Sequence, residues 1–393
     1  MKQTLSAFAL LVALTGSAQA MSAGEYVAKA GDCTACHGET LAGGMKFTTP
    51  LGDIYATNIT PDKQHGIGND SFADFERAMR QGVAKDGHHL YPAMPYTAYA
   101  KMSEADMRAL YDYLQHDVAP QPQANRASDI PWPLSVRWPL AIWNRLFHQE
   151  ARWQPDTQQS AAWNRGAYLV QGAGHCGSCH TPRGWAMQEQ ALDNSDARYL
   201  SGAELDGWYA PSLRGLPAER VVSLLKSGRS AHSAVAGPMG DVVSHSTQYL
   251  SDSDLQAIGS YLRSLPPVTS VAAPARPTAA VMQSGARTYA KYCATCHGGK
   301  GEGVDNTIPA LTDNAALIAD NPLTALRVVL EGAQTPITGQ EMAQKMPGYG
   351  WTLNDKQVAD LMSYLRGSWG NQAAPVTEEQ VRAARKLAAG HAN

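Results

Sequence analysis

Three times along the chain a polar cap is followed by apolar residues at helical spacing. The segments run from Ser103-Glu104-Ala105-Asp106-Met107 to Tyr113-Leu114, from Ser251-Asp252-Ser253-Asp254-Leu255 to Tyr261-Leu262, and from Asn354-Asp355-Lys356-Gln357-Val358 to Tyr364-Leu365. In each, Ser or Asn can accept an unpaired amide of a first helical turn, and the acidic residues behind it suit the positive end of the helix dipole. Apolar residues at i, i+3 and i+7 then form one buried stripe. Upstream of each lies another helix-like segment with Gly and Tyr at similar positions: Gly24 and Tyr26, Gly166 and Tyr168, Gly285 and Tyr289. The pattern predicts one helical unit used three times, with an opening and a closing helix that pack together.

The units are read as residues 21–122, 161–266 and 280–370, with residues 371–393 as a C-terminal tail. Residues 123–160 form a Trp/Pro-rich linker in which Trp132, Trp138, Trp143, Leu146 and Phe147 stand among Pro131, Pro133 and Pro139. Such residues either fill the contact between the units or form an aromatic belt at a bilayer interface. Residues 267–279 form a Pro/Ala-rich, extended spacer.

A length of 393 residues is compatible with two to four domains, and 44% apolar against 17% charged residues fits a globular protein. The net charge of −3 carries no nucleic-acid signature. Lys2, an apolar run from Leu5 to Leu14 and the small-residue ending Ala18-Gln19-Ala20 form the three-part pattern of a secretory signal, predicting a signal peptide over residues 1–20. The run is much shorter than the roughly 20 residues a spanning helix needs, and no later stretch reaches that length. The expected location is outside the cytoplasm, as a soluble or peripherally attached protein.

All six cysteines lie in three motifs: Cys33-Thr34-Ala35-Cys36-His37, Cys176-Gly177-Ser178-Cys179-His180 and Cys293-Ala294-Thr295-Cys296-His297. Two cysteines three apart share a helical turn, so both thiols can add to the vinyl groups of one porphyrin while the next residue turns its imidazole onto the iron. A disulfide framework has no reason to place His after every second cysteine, and units of this size need no staples. A zinc site needs four ligands, yet the cysteine pairs stand over a hundred residues apart. The motifs therefore predict three covalently bound hemes c, attached at Cys33, Cys36, Cys176, Cys179, Cys293 and Cys296, with His37, His180 and His297 on the irons.

An opening helix that carries such a motif and a capped closing helix resemble the class I cytochrome c fold. The resemblance implies an all-α protein of three tandem class I cytochrome c-like domains, in which a Met between the two helices is the second axial ligand. In the third unit no His follows His297 before His391, leaving Met342 and Met346; Met346 precedes Pro347 and stands eight residues before Asn354, where the family places its ligand. In the second unit Met187 lies only seven residues after His180, so Met239 is selected. In the first, Met94 lies between Pro92 and Pro95, nine residues before Ser103, and Met45, Met79, Met102 and Met107 read as core or helix-face residues. The His-to-Met separations are then 57, 59 and 49 residues. His88 and His89 beside Met94, and His232 and His245 beside Met239, are the rival ligands.

A closer resemblance rests on Thr49-Pro50-Leu51-Gly52-Asp53-Ile54-Tyr55-Ala56-Thr57-Asn58-Ile59-Thr60-Pro61-Asp62, Gly66-Ile67-Gly68, Leu90-Tyr91-Pro92-Ala93-Met94-Pro95-Tyr96, Trp163-Asn164-Arg165-Gly166-Ala167-Tyr168 and Gly207-Trp208-Tyr209-Ala210-Pro211. These segments are similar to the cytochrome subunits of bacterial membrane-bound dehydrogenases for alcohols, gluconate, sorbitol or fructose. The resemblance implies electron transfer from a catalytic subunit carrying FAD or PQQ, in a complex with a small third subunit, to ubiquinone. It further implies a periplasmic location and peripheral contact with the outer face of the cytoplasmic membrane. Some members extend into a membrane-seeking C-terminus, whereas here a short charged helix is expected from Thr377 to Ala388. The sequence carries no hydrolase, metalloprotease or dinucleotide motif. A free periplasmic carrier and a heme peroxidase are the competing readings; a peroxidase would require one iron with an open position.

Overall fold

A computed structural model describes residues 20–49, 51–268, 276–305 and 307–390. The expected signal peptide up to residue 19 and part of the 267–279 spacer lie outside the described residues. The first repeat comprises α1 (Ala23–Ala30), α2 (Cys33–His37), a hairpin of β1 (Lys46–Thr49) and β2 (Gly52–Tyr55), α3 (Phe72–Gln81), α4 (Tyr96–Tyr99) and α5 (Glu104–His116). A further helix, α6 (Pro139–Phe147), interrupts the stretch read as a linker. The second repeat follows with α7 (Ala161–Gln171), α8 (Gly177–His180), β3 (Ala203–Leu205), β4 (Trp208–Ala210), α9 (Ala218–Ser227), α10 (Pro238–His245) and α11 (Asp252–Ser264). The third has α12 (Ala279–Tyr292), α13 (Ala294–His297), α14 (Ala315–Ile318), α15 (Leu323–Glu331), β5 (Gly332–Gln334), β6 (Lys345–Pro347) and α16 (Asp355–Arg366), and α17 (Glu378–Gly390) closes the chain. The protein is thus mostly helical, with one short antiparallel hairpin in each repeat that the helical periodicity did not announce.

The opening and closing helices pack in pairs, α1 on α5, α7 on α11 and α12 on α16. The reason each opening helix carries Gly is visible at the crossings. A Cβ would stand 2.1 Å from Ala109 O at Gly24, 2.0 Å from Ala257 O at Gly166 and 2.3 Å from Asp360 O at Gly285, so the backbones touch where no side chain fits. The caps form as expected: Ser103 accepts from Asp106 N–H, Ser251 from Asp254 N–H, and Asn354 makes a reciprocal capping box with Gln357. Behind them Met107, Leu255 and Val358 are fully buried, each contributing about 1.5–3 kcal/mol.

Among the described residues, most of the buried apolar side chains form two clusters. One runs without interruption through the first two repeats; the other fills the third and takes in Val381 and Ala384 of α17. The segment read as a tail is therefore a structural part of the third core: Arg385 donates to Asp355 Oδ1, Gly350 O and Leu353 O at 2.8, 2.6 and 2.6 Å.

Candidate heme sites

Each Cys-x-x-Cys-His motif closes one helical turn directly after an opening helix. The N–H groups of Gly38, His180 and His297 return to the carbonyls of Thr34, Cys176 and Cys293 at 2.9, 3.0 and 2.9 Å. The imidazole Nδ1 then meets a main-chain carbonyl in all three: His37 with Thr57 O at 2.6 Å, His180 with Pro211 O at 2.7 Å and His297 with Pro309 O at 3.2 Å. A carbonyl can only accept, so Nδ1 donates and Nε2 keeps its lone pair. Burial lowers the pKa of all three rings, against a smaller opposing effect of those same hydrogen bonds. The result is a neutral imidazole with its coordinating nitrogen oriented, as an iron ligand requires.

The surrounding backbone repeats as well. Gly43, Gly202 and Gly303 donate to the carbonyls of His37, His180 and His297 at 2.8, 2.8 and 2.9 Å, and Ile59, Leu213 and Leu311 donate to Leu41, Leu200 and Gly301. Those three glycines have φ of 77°, 98° and 66°, the left-handed region a Cβ disfavours. A Cβ would also press on Thr57 C, Tyr209 Oη and Ile308 O at 2.4, 2.6 and 2.3 Å. These turns hold the carbonyl-bearing strand against the motif. The carbonyl partners were missed in the sequence, although Thr57-Asn58-Ile59, Pro211-Ser212-Leu213 and Pro309-Ala310-Leu311 share one signal: the accepting residue stands two before a buried or half-buried Ile or Leu.

None of the six cysteines is in a disulfide. Burial pushes the thiols of Cys33 and Cys176 up to about 12 and those of Cys36 and Cys293 up to about 11, so none of these four is poised as a thiolate. Among the described residues no three His, Cys, Asp or Glu side chains are grouped to hold a metal ion. Paired thiols in a helical turn with an oriented neutral imidazole fit covalently attached heme c, with the cysteines as its anchors and the histidines as its axial donors. Bound heme would supply an iron centre able to accept and release one electron.

The methionines separate by environment. Met94 is half-buried against the same core as Cys33, and Met346, on β6, against the same core as Cys293. Tyr349, three residues on, donates to Tyr292 O at 3.0 Å and ties the Met346 loop to the end of α12. Met239 is half-buried in the first turn of α10 and is not part of the apolar clusters. Just before it, a Cβ on Gly237 would meet the Trp208 ring at 2.6 Å, on the strand that leads to Pro211, while α10 itself packs on α2 of the first motif. Met79, Met102 and Met107 are core residues, while Met45, Met187 and Met342 are exposed. Among the rival histidines, His88 pairs with Asp86 at 2.5 Å, His89 meets Asn144 at 3.4 Å, His232 meets Thr312 O at 3.2 Å and His245 meets Glu39 at 3.4 Å.

The first two sites adjoin. Tyr99 donates to Gly31 O at 2.7 Å, and its ring lies edge-on to His175 at 5.7 Å, so the approaches to both motifs share one tyrosine. Asp32, immediately before Cys33, is buried there; burial and then the Asp241 charge raise its pKa to about 7.

Fold and donor set define a protein class built to hold covalently attached heme. The Cytochrome c family model matches residues 21–117 and 282–369. The chain is 47% identical to the gluconate 2-dehydrogenase cytochrome c subunit of Pantoea cypripedii, with 92% of this chain and 89% of that protein covered. It is 45% identical to the cytochrome c subunit of the quinone-dependent alcohol dehydrogenase of Gluconacetobacter polyoxogenes, over 95% of this chain and 87% of that protein. The fructose dehydrogenase cytochrome subunit of Gluconobacter japonicus is 35% identical, with 93% and 82% covered. The chain belongs to the cytochrome c family, among the cytochrome c subunits of bacterial gluconate, alcohol and fructose dehydrogenases, and its role is electron transfer.

Proposed function

We propose that this chain is the triheme electron-transfer subunit of a periplasmic dehydrogenase complex, accepting electrons from a FAD- or PQQ-bearing catalytic subunit and delivering them to ubiquinone at the outer face of the cytoplasmic membrane. The observation that carries the reading is the threefold recurrence of one arrangement, paired cysteines and a histidine whose Nδ1 is held by a main-chain carbonyl. In this reading the chain forms three tandem class I cytochrome c-like domains, residues 1–20 are removed as a signal peptide, and a small third subunit completes the complex. Cys33, Cys36, Cys176, Cys179, Cys293 and Cys296 anchor the hemes. His37 with Met94, His180 with Met239, and His297 with Met346 fill the axial positions. Filled axial positions exclude substrate and favour electron relay over peroxidase chemistry, and full-length similarity to dehydrogenase subunits favours a complex over a free carrier.

The test is purification of the solubilised native protein. Expected are three hemes per polypeptide, a co-purifying dehydrogenase, and ubiquinone reduction driven by the partner's substrate. A chain that runs alone and passes no electrons to quinone overturns the assignment. Replacing Met94, Met239 or Met346 singly by Ala should let one heme per molecule bind carbon monoxide when reduced; no new binding in a variant removes that ligand assignment.

A further inference from the structure

Residues 130–149 pack on the protein along one side only. On α6, Trp143 donates from Nε1 to Ala186 O at 2.9 Å, Asn144 accepts from Tyr96 Oη at 2.7 Å and donates to Gln81 O at 2.9 Å, and the Phe147 ring meets Trp143 at 5.5 Å. These contacts hold the helix on the first two repeats. The remaining stripe, Trp138, Ile142 and Leu146, recurs every four residues and is 66%, 52% and 64% exposed. Trp132, upstream, is 82% exposed; Trp185, from the loop after the second motif, is 88% exposed and joins the helix through Phe147 at 6.2 Å. Concentrated exposed apolar surface marks an interaction site.

Charge identifies the occupant. Residues 130–149 and 181–188 contain no Asp or Glu but carry Arg137, Arg145 and Arg183, in a chain of net charge −3. Indoles beside guanidinium groups, with Glu150 at the edge held on Gln81 and Arg145 clear of the main-chain carbonyls that Arg137 and Arg183 bond, match a phospholipid surface, where Trp settles at headgroup depth and Arg meets phosphate. Among the described residues no helix is long and apolar enough to cross a membrane, so this contact lies in the interface plane. We infer that the face formed by Trp132, Trp138, Ile142, Leu146 and Trp185 docks on an anionic phospholipid bilayer.

Docking there orients the candidate sites. Trp185 stands five residues after His180. Arg137 packs on the Tyr91 ring at 3.5 Å, three residues before Met94. The face therefore adjoins the loop after the second motif and the loop that carries Met94, which would bring the first two sites near the bilayer and a lipid-soluble acceptor. This last step rests on the proposed delivery of electrons to ubiquinone; the lipid contact does not.

The test is flotation of the full-length holoprotein with vesicles of phosphatidylethanolamine and phosphatidylglycerol at 7:3, beside phosphatidylcholine vesicles. Expected are binding that favours the anionic vesicles, and a loss of at least tenfold in Ile142→Glu/Leu146→Glu and in Trp138→Ser/Trp185→Ser, with unchanged heme absorption in both variants. Wild-type protein that does not float, flotation indifferent to phosphatidylglycerol, or variants that bind like wild type overturn the inference. Variants that still float but lose the catalytic subunit assign the face to a protein partner, and the inference falls. Substrate-driven heme reduction in detergent reports separately on the electron-transfer assignment.

Discussion

The first two repeats and the third use the same helix crossing but are joined in different ways. Between the first and second, tyrosines are exchanged: Tyr26 donates to Asp254 at 2.6 Å and receives Ser251 N–H, while Tyr168 donates to Asp106 at 2.5 Å and receives Ser103 N–H. Each opening helix thus bonds the capped start of the other repeat's closing helix, over one continuous core. Lys101 adds a buried crossing to Gln171 Oε1 at 3.0 Å. The third repeat has Arg287 two residues after its glycine, where the others have Tyr, and its Tyr289 bonds within the repeat to Gly298 O. Its contact with the second repeat is largely polar: Thr324 Oγ1 bonds both N–H and C=O of Tyr209, and Arg327 stacks on Trp208 at 3.9 Å while donating to Gly207 O. Shared apolar burial couples two repeats into one cooperative body, and a polar seam attaches the other.

The largest expected effect that tests this contrast is at the crossings. Gly166→Val drives methyl groups into Ala257 O and should cost about 3 kcal/mol or more, lowering the calorimetric transition of both the first and second repeats together. Gly285→Val should cost a similar amount but lower only the transition of the third. One transition moved by both variants would refute the division into two bodies.

Arg327 comes next. Its guanidinium is buried and bonds both Glu331 oxygens at 2.5 and 2.8 Å. Arg327→Ala should cost about 2 kcal/mol and separate the two calorimetric transitions further, with the first two repeats unmoved.

Asp32 tests the other body through pH. Its folded pKa of about 7 lies above the ordinary aspartate value of 3.8, so the folded state holds a proton that the unfolded chain releases. Stability therefore falls as pH rises from about 4 to about 7 and stays reduced above that. Asp32→Asn should remove this slope and raise stability at pH 8 by about 1–3 kcal/mol, while matching wild type near pH 4. Thermal melts across that range give the answer, and a variant with the wild-type slope excludes Asp32 as its source. Asn also suits the backbone there, φ 51° and ψ 38°.

The smallest effect is at the exchanged tyrosines. Tyr26→Phe and Tyr168→Phe should cost about 1 kcal/mol each, and in the doubly substituted protein the melts of the first two repeats should begin to part.

Much of this was legible from residue order. The three motifs and the capped closing helices are local features, governed by spacing along a helical turn and by short-range hydrogen bonds, whereas the recurring glycines were visible as a pattern but owe their place to a distant backbone. The expected helix from Thr377 matches α17. The Trp/Pro-rich stretch left two readings open, and the structure shows the contact between units for part of it: Trp143 and Phe147 pack toward the loop at Ala186 and Trp185 of the second repeat, while Trp132, Trp138 and Leu146 face solvent. Helical periodicity could not separate them, because both faces of α6 are apolar.

Sequence by itself determined where heme can attach, since that chemistry needs only two thiols and an imidazole within one turn of chain. Tertiary structure alone decided which carbonyl orients each imidazole, at sequence separations of 20, 31 and 12 residues. It also decided that two repeats share a core while the third keeps its own, and that α17 closes that core. Those outcomes depend on which surfaces meet after the helices form, and the free energy of burying a surface is set by its partner.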